Sequence, residues 1–316
     1  MNHKKLTIVI AFLNEAEEVK NTLSNVREWV GDKVDIVVVN DCSDDGYNYD
    51  TDLKPLGIAY YINSNRMGAA RSKEFGISKI KTPYFLLLDA HMRFYDSAWL
   101  EILVHTLEQN DRQILCCQTK VLKKSGKRVF EPLEEKISSK VRQGSSIRLS
   151  QVPDIFEPEW IYVDKNQNQN MTMKRIPCIY GAAYCASKRY WDYLKGYKGL
   201  LGFGLEEPYI SMKAYMEGGN CMLMKNIVVG HIYRTKFPYR VNGLEYVYNK
   251  LMLADMLLPD ELKEFVYNYC EQNAKSSFPQ ILELLEKYKD ELAVLKKYYN
   301  SIFTRNFLDF YKYNTK

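Results

Sequence analysis

Short apolar runs that each stop at a polar pair set the architecture of the first half of this chain. Leu6 to Phe12 (LTIVIAF) and Val34 to Asn40 (VDIVVVN) are continuous and rich in β-branched residues. A strand loses its apolar–polar alternation when both faces are covered, the condition of a strand buried between two helical layers. Gly57 to Ile62 and Pro83 to Leu88 read as a third and a fourth strand, and Gln113 to Thr119 as a fifth. Between them, Glu15 to Trp29 carries Val19, Leu23 and Val26 at helical spacing, and Met67 to Ile80 and Ser97 to Gln109 read as further helices. Strand–helix alternation of this kind means βαβ units and an α/β sheet flanked by helices.

The pattern weakens from Lys120 to Met173, a basic and then polar excursion from the sheet. Order returns at Ile176 to Ala186, followed by helices at Lys188 to Lys195 and Glu207 to Glu217 and a late strand at Cys221 to Val229. After Gly243 the chain reads as all-helical, so a boundary near residue 240 separates residues 1–240 from a helical region, 241–316. With 316 residues, 46% hydrophobic and 26% charged, disordered and fibrous classes are excluded. The net charge of +5 does not argue for nucleic acid, although Lys120 to Arg148 alone holds nine Lys/Arg against three Glu. Seven cysteines without a metal-like spacing point to buried thiols in a reducing compartment. The first apolar run ends at Asn14 and no later run reaches membrane length, so the expectation is a soluble, cytoplasmic protein.

Polar residues gather where the strands end, and in open α/β sheets ligands sit beyond the carboxyl ends of strands. Four such ends are Asn14-Glu15, Asn40-Asp41, Asn63 to Arg66, and Asp89-Ala90-His91. Strand ends also need polar turn residues, so any one of them alone has that plain reading. Asp89-Ala90-His91 is the most specific, because alternate residues bring a carboxylate and an imidazole to one side. That donor pair suits Mn²⁺ (or Mg²⁺), with positions left for phosphate oxygens. The late Gly230-His231-Ile232-Tyr233-Arg234 adds a second imidazole and an arginine suited to phosphate. His105 reads as an ordinary helix residue and His3 as a solvated end.

The order TIVIAFLNE, VVVNDCSDDG, NRMGAARSKEFG, FLLLDAH resembles GT-A nucleotide-sugar glycosyltransferases of the family 2 type. IPCIYGAAYCASKRYW, GFGLEEPYISMKAYMEGG and GHIYRTKFPY are similar to the catalytic domain of polypeptide N-acetylgalactosaminyltransferases. The resemblance covers about residues 6 to 240 and implies a metal-dependent enzyme with a UDP-sugar donor. It places Phe12, Asn14 and Glu15 in the uridine pocket and Asp41 on the uracil. Arg66, Gly68 and Arg71 would flank the nucleotide-sugar; Asp89, His91 and His231 would hold the metal, and Arg234 the diphosphate. Gly181 and Ala182 would sit against the donor sugar. Phe203-Gly204-Leu205-Glu206-Glu207 stands where that group has Trp-Gly-Gly-Glu-Asn, which leaves the sugar open among GalNAc, GlcNAc, Glc and Gal. Glu206 and Glu207 are the candidate catalytic acids, with an acidic helix N-terminus as their structural reading.

Two other readings stay open: a GT-A module that binds a nucleotide-sugar without turnover, and a nucleotidyltransferase. RTKFPYRVNG after His231 is a candidate lid or a plain connector. The basic excursion of residues 120–148 reads as a solvated face, as a platform for an anionic acceptor (lipid diphosphate, teichoic-type polymer or DNA), or as a docking surface at the inner membrane face. The aromatic, lysine-bearing end FLDFYKYNTK supports the last.

Overall fold

The computed structural model describes residues 3–122, 140–150, 154–164, 171–234 and 236–315. The chain runs β1 (Leu6–Phe12), α1 (Glu18–Val30), β2 (Asp35–Asn40), α2 (Tyr49–Leu53), β3 (Ala59–Ile62), α3 (Ala69–Ser78), β4 (Tyr84–Leu88), β5 (Met92–Phe94) and α4 (Ala98–Gln109). It continues through β6 (Gln113–Val121), β7 (Lys140–Ile147), β8 (Pro158–Asp164), β9 (Met173–Ile176), β10 (Ala183–Ser187), α5 (Lys188–Tyr193), α6 (Glu206–Met216) and β11 (Asn220–His231). Five helices close it: α7 (Gly243–Leu257), α8 (Asp260–Ala274), α9 (Phe278–Lys287), α10 (Lys289–Ile302) and α11 (Phe307–Asn314).

Among the described residues the main sheet has nine strands in the order β3-β2-β1-β4-β10-β6-β11-β5, with β9 also on β11. The pairs among β3, β2, β1 and β4 are parallel, as is β6 with β11; β10, β5 and β9 pair antiparallel with their neighbours. The sheet is therefore mixed. The antiparallel strands are the ones that periodicity under-reads, because β5 and β9 are only three and four residues long. Residues 120–173 do leave the sheet: β7 and β8 form a separate antiparallel hairpin. Residues 123–139 and 165–170, which hold much of the basic and polar excursion, lie outside the described residues.

The continuous apolar strands divide their side chains between two cores. Val9, Val37, Val39 and Leu87 face one, while Ile8, Ile10, Ile36, Val38 and Leu88 face the other. Each strand is thus covered on both faces, which is why alternation is missing from its sequence. The first core runs on without a break into the C-terminal helices, taking in Leu251, Met252, Tyr299 and Phe310. The helical region consequently shares one core with the sheet and meets it through α6, Tyr299 against Tyr209 and Phe310 against Tyr215.

Three polar ties hold it there. Lys213 of α6, fully buried, donates to the carbonyls of Leu194 (3.1 Å) and Gly196 and to the Tyr299 hydroxyl (3.2 Å). Arg305 donates to the Tyr215 carbonyl at 2.9 Å. Asn314 of α11 clasps the backbone of Ile147 in β7, accepting from its N–H at 2.8 Å and donating to its carbonyl at 2.6 Å. The C-terminal helix is therefore bonded to the hairpin, with Phe310 in the core and Leu308 exposed. No helix among the described residues is long and apolar enough to cross a membrane.

Candidate active site

Asp89, His91 and His231 come together at the ends of β4 and β11, each offering one ligand atom, all within 4.8 Å of one another. The placement is built from backbone bonds. The Asp89 N–H donates to the Ala182 carbonyl at 2.8 Å, the Ile232 N–H to His91 at 3.2 Å, and the Leu122 N–H to His231 at 2.8 Å. Thr22, completely buried in α1, donates its hydroxyl to Ala90 at 2.7 Å and accepts from the Met92 N–H at 3.0 Å. The turn that carries both ligands is thus pinned from behind.

This group fits a divalent cation. Both ring nitrogens of His231 are buried without a hydrogen-bond partner, although Nε2 lies 3.4 Å from an Asp89 oxygen. An orphaned buried imidazole is costly unless something ligates it. Burial lowers the His231 pKa despite the neighbouring Asp89 carboxylate, a shift toward the neutral ring that ligation requires. Asp89 goes the other way. Burial opposes its charge, yet His231, His91 and Lys73 together hold its carboxyl well below the usual range. One carboxylate and two imidazoles is a donor set suited to Mn²⁺.

Glu15 and Arg234 join the same edge. Arg234 reaches both oxygens of Glu15, one at 2.9 Å, and Glu15 also meets His91 Nδ1 at 3.1 Å. Burial opposes ionisation of Glu15, but His91 and Arg234 outweigh it and keep the carboxyl below its ordinary value.

A cleft of about 310 Å³ opens at the ends of β1 and β2, lined by Phe12, Asp41, Arg66, Gly68, Phe203 and Tyr239 among others. Asp41 shapes it from inside: one oxygen accepts from Met67 N–H and Asn63 Nδ2, both at 2.8 Å, and the other from Gly68 N–H at 2.8 Å. Asn14, at φ +58°, exchanges two 2.9 Å bonds with Asp44, and Arg66 donates to Asp44 at 2.6 Å. Arg71 lies with its guanidinium 5.4 Å from the Tyr288 ring, on the side of the helical region. Gly68 sits at φ +85°, where a Cβ would come within 2.3 Å of the Gly202 backbone. Residues 239–242 border the cleft, and Phe237 and Tyr239 pack around Phe203 at 5.3 and 6.3 Å. Tyr239 links cleft and ligands: burial, reinforced by Asp89 and Glu15, raises its phenol to about 12.

Glu206 and Glu207 are the first two residues of α6, after Leu205 in the left-handed region. The acidic helix start expected of them is what the structure shows. Glu206 turns back to accept from the Gly204 N–H at 2.8 Å, with its other oxygen buried and without a partner. Glu207 faces Lys73 at 3.8 Å and the backbone of Gly181, where a Cβ would lie 2.9 Å from its Oε1. Burial and the Glu206 charge push Glu207 up to about 7, with Lys73 opposing. Gly181 and Ala182, the latter at φ +99°, therefore join Asp89 to the Glu207 side of the site.

Reading by motif missed Thr22 and Lys73, and took in Tyr239 only as part of the candidate lid RTKFPYRVNG. Lys73 is four residues before Ile77 on α3 and had no signal except its place in a helix that opens at Gly68. Thr22 lay between apolar helix positions, and only its burial shows that it serves the metal turn.

A nine-stranded mixed sheet with a carboxylate–imidazole group at its carboxyl edge and a cleft at the ends of its first two strands has the arrangement of a GT-A nucleotide-sugar fold. Residues 7–171, just over half of the chain, match the family model Glycosyl transferase family 2. The chain belongs to that family. It is 26% identical over 294 residues to mouse (Mus musculus) polypeptide N-acetylgalactosaminyltransferase 12, covering 89% of this chain and 48% of that one. It is also 26% identical over 269 residues to human (Homo sapiens) polypeptide N-acetylgalactosaminyltransferase 14, covering 83% and 47%. The chain spans about half the length of these curated relatives. Among solved structures, GalNAc-T7 with UDP, GalNAc and Mn²⁺ superposes with a TM-score of 0.72 at 20% identity, over 98% of this chain and 56% of that one. S. aureus TarS in complex with UDP gives 0.50 at 12% identity, over 87% and 72%. Both share the fold.

Proposed function

We propose that this chain is a metal-dependent glycosyltransferase that moves a sugar from a UDP-sugar to an acceptor hydroxyl. The observation that carries the reading is the convergence of Asp89, His91 and His231 within 4.8 Å at the strand ends. The similar proteins support it, since GalNAc-T7 was crystallised with UDP, GalNAc and Mn²⁺. GalNAc heads the list of donor sugars for this chain, before GlcNAc, Glc and Gal.

In this reading the cleft takes the nucleoside, with Phe12 as an apolar wall and the Asp41-braced turn at residues 67–68 as its floor. Asp89, His91 and His231 would hold Mn²⁺, which would supply Lewis-acid chemistry on the diphosphate side. Arg234, oriented by Glu15, adds fixed positive charge on that side, where charge develops as the sugar leaves. Gly181 and Ala182 leave room for the sugar, and Glu207 with Lys73 borders it. Residues 236–242 close the cleft over the donor and exclude water. Seven unpaired cysteines, six of them buried, support a reducing compartment such as the cytoplasm.

The test is a panel of UDP-sugars and sugar acceptors with mass detection, run with Mn²⁺ and with a chelator. Metal-dependent release of UDP with a glycosylated product is the expected result. Release of diphosphate instead would indicate a nucleotidyltransferase, and UDP binding without any turnover would indicate a binding module.

A further inference from the structure

The β7–β8 hairpin carries a cation that the donor site does not use. Its register sets Arg142 opposite Tyr162, and Trp160, two residues before Tyr162, shares that face. The Arg142 guanidinium lies 4.0 Å from the Trp160 ring centre and 5.6 Å from that of Tyr233. It donates to the Tyr233 hydroxyl at 3.0 Å, which also meets Thr119 Oγ1 at 3.1 Å. The Tyr233 ring in turn stands edge-on to His231, with centres 4.2 Å apart. One aromatic ring therefore separates the guanidinium from a metal ligand.

Two features mark this arginine as more than a packing staple. Among the described residues no carboxylate pairs with it, and its Nε is buried without a partner. Stacking on an indole covers the face of a guanidinium and leaves in-plane N–H groups for a planar or phosphate anion. Tyr162 beside it is 54% exposed, an aromatic face open to a sugar ring. The sheet order runs from the cleft at β2 and β1, through Asp89 after β4, to His231 on β11. The hairpin, tied at Ser145 to the Cys178 carbonyl at 2.9 Å, thus lies on the other side of the metal group from the nucleoside cleft.

We propose that Arg142 is the anion-recognising residue of the acceptor side, and that the acceptor is a sugar bearing a carboxylate or a phosphate. The proposal rests on the transferase reading above. Binding of three probes to the Mn²⁺- and UDP-loaded chain tests it by calorimetry: methyl glucoside, methyl glucuronide and methyl glucoside 6-phosphate. At least one anionic probe should bind about tenfold or more tighter than the neutral one, the gain expected of one charge-assisted contact. The two anionic arms tell carboxylate from phosphate. Arg142→Ala should erase the preference, and Arg142→Gln, which keeps a shorter polar side chain with two N–H donors and no charge, should erase most of it. Equal binding of all three, or a preference that survives both substitutions, overturns the proposal. UDP release is followed in parallel wild-type samples that hold Mn²⁺, each probe and, in place of UDP, each of the four UDP-sugars. An anionic preference without turnover from any UDP-sugar would overturn the transferase reading alone, whereas turnover without a preference would overturn the anion site alone.

Discussion

Glu15 and Arg234, 219 residues apart, form a two-pronged ion pair that ties the turn after the first strand to the segment after the last. Sequence resemblance assigns Glu15 to the uridine and Arg234 to the diphosphate, and the structure shows each already holding the other. The pair fixes where the arginine's charge stands before any ligand arrives. Glu15→Gln should cost about 1.5–3 kcal/mol of stability, the range for hydrogen bonds to charged groups. Urea unfolding measures it, and a loss under 0.5 kcal/mol would show that the pair does not hold the edge together.

The cleft depends on two backbones passing where no side chain fits. Gly68→Ala would drive a Cβ to 2.3 Å from Gly202 at a φ of +85°. A cost of about 2–4 kcal/mol is expected from strain and overpacking together, with weakened UDP binding. Gly57 shares the positive φ, at +62°, but a Cβ there would meet nothing within 4 Å. Gly57→Ala should therefore cost only about 1 kcal/mol and leave UDP binding as it was. Equal effects of the two substitutions would remove the steric account of the cleft.

Lys213 gives the stability a pH signature. Burial lowers its pKa well below 10.5, with Glu74 opposing, so the folded chain binds fewer protons at this site than the unfolded one. Stability must then rise with pH between the folded value and 10.5, by up to about 1.4 kcal/mol per unit, and level off above it. Lys213→Met removes this slope. Chemical denaturation of both chains between pH 7 and roughly 9.5 should show wild type gaining on the variant; parallel curves would mean that the lysine is charged when folded.

Much of this was legible from residues alone because burial on both sheet faces leaves unbroken runs such as LTIVIAF, and because Asp89 and His91 sit at a strand's end. The third ligand, His231, needed the ordered resemblance, since no local spacing joins it to position 89. What the sequence hid depends on distant packing. Strand β5 is three residues long and pairs only because β11 passes beside it. Lys73 meets Glu207 across 134 positions through α3 and α6. What the C-terminal helices cover was hidden too, because helical periodicity says nothing about what an apolar face meets; Tyr299 meets Tyr209 and Phe310 meets Tyr215, both on α6.

The clasp between Asn314 and Ile147 makes the hairpin depend on the last helix. Asn314→Ala should cost about 1 kcal/mol and raise hydrogen exchange in residues 140–147 without changing Mn²⁺ affinity. Unchanged exchange there would mean that the hairpin holds its place by other contacts.

Glu207 divides two stereochemical outcomes. Its proximity to Lys73 and Gly181 favours a binding role, and the proposal is that the product keeps the anomeric configuration of the donor. Proton NMR of the product should show an α-linked sugar from an α-linked donor. A β-linked product, together with a fall in turnover of about 10²–10⁴-fold in Glu207→Gln, would make Glu207 the general base of an inverting enzyme.

The most direct measurement of the central claim is calorimetric titration of UDP into the wild-type chain and His231→Ala, each with and without Mn²⁺. The account predicts tight UDP binding only in wild type with metal, and weak, metal-independent binding in the variant. Equal Mn²⁺-dependent affinity in both chains would contradict it, because the buried, unpartnered imidazole of His231 would then not be a ligand.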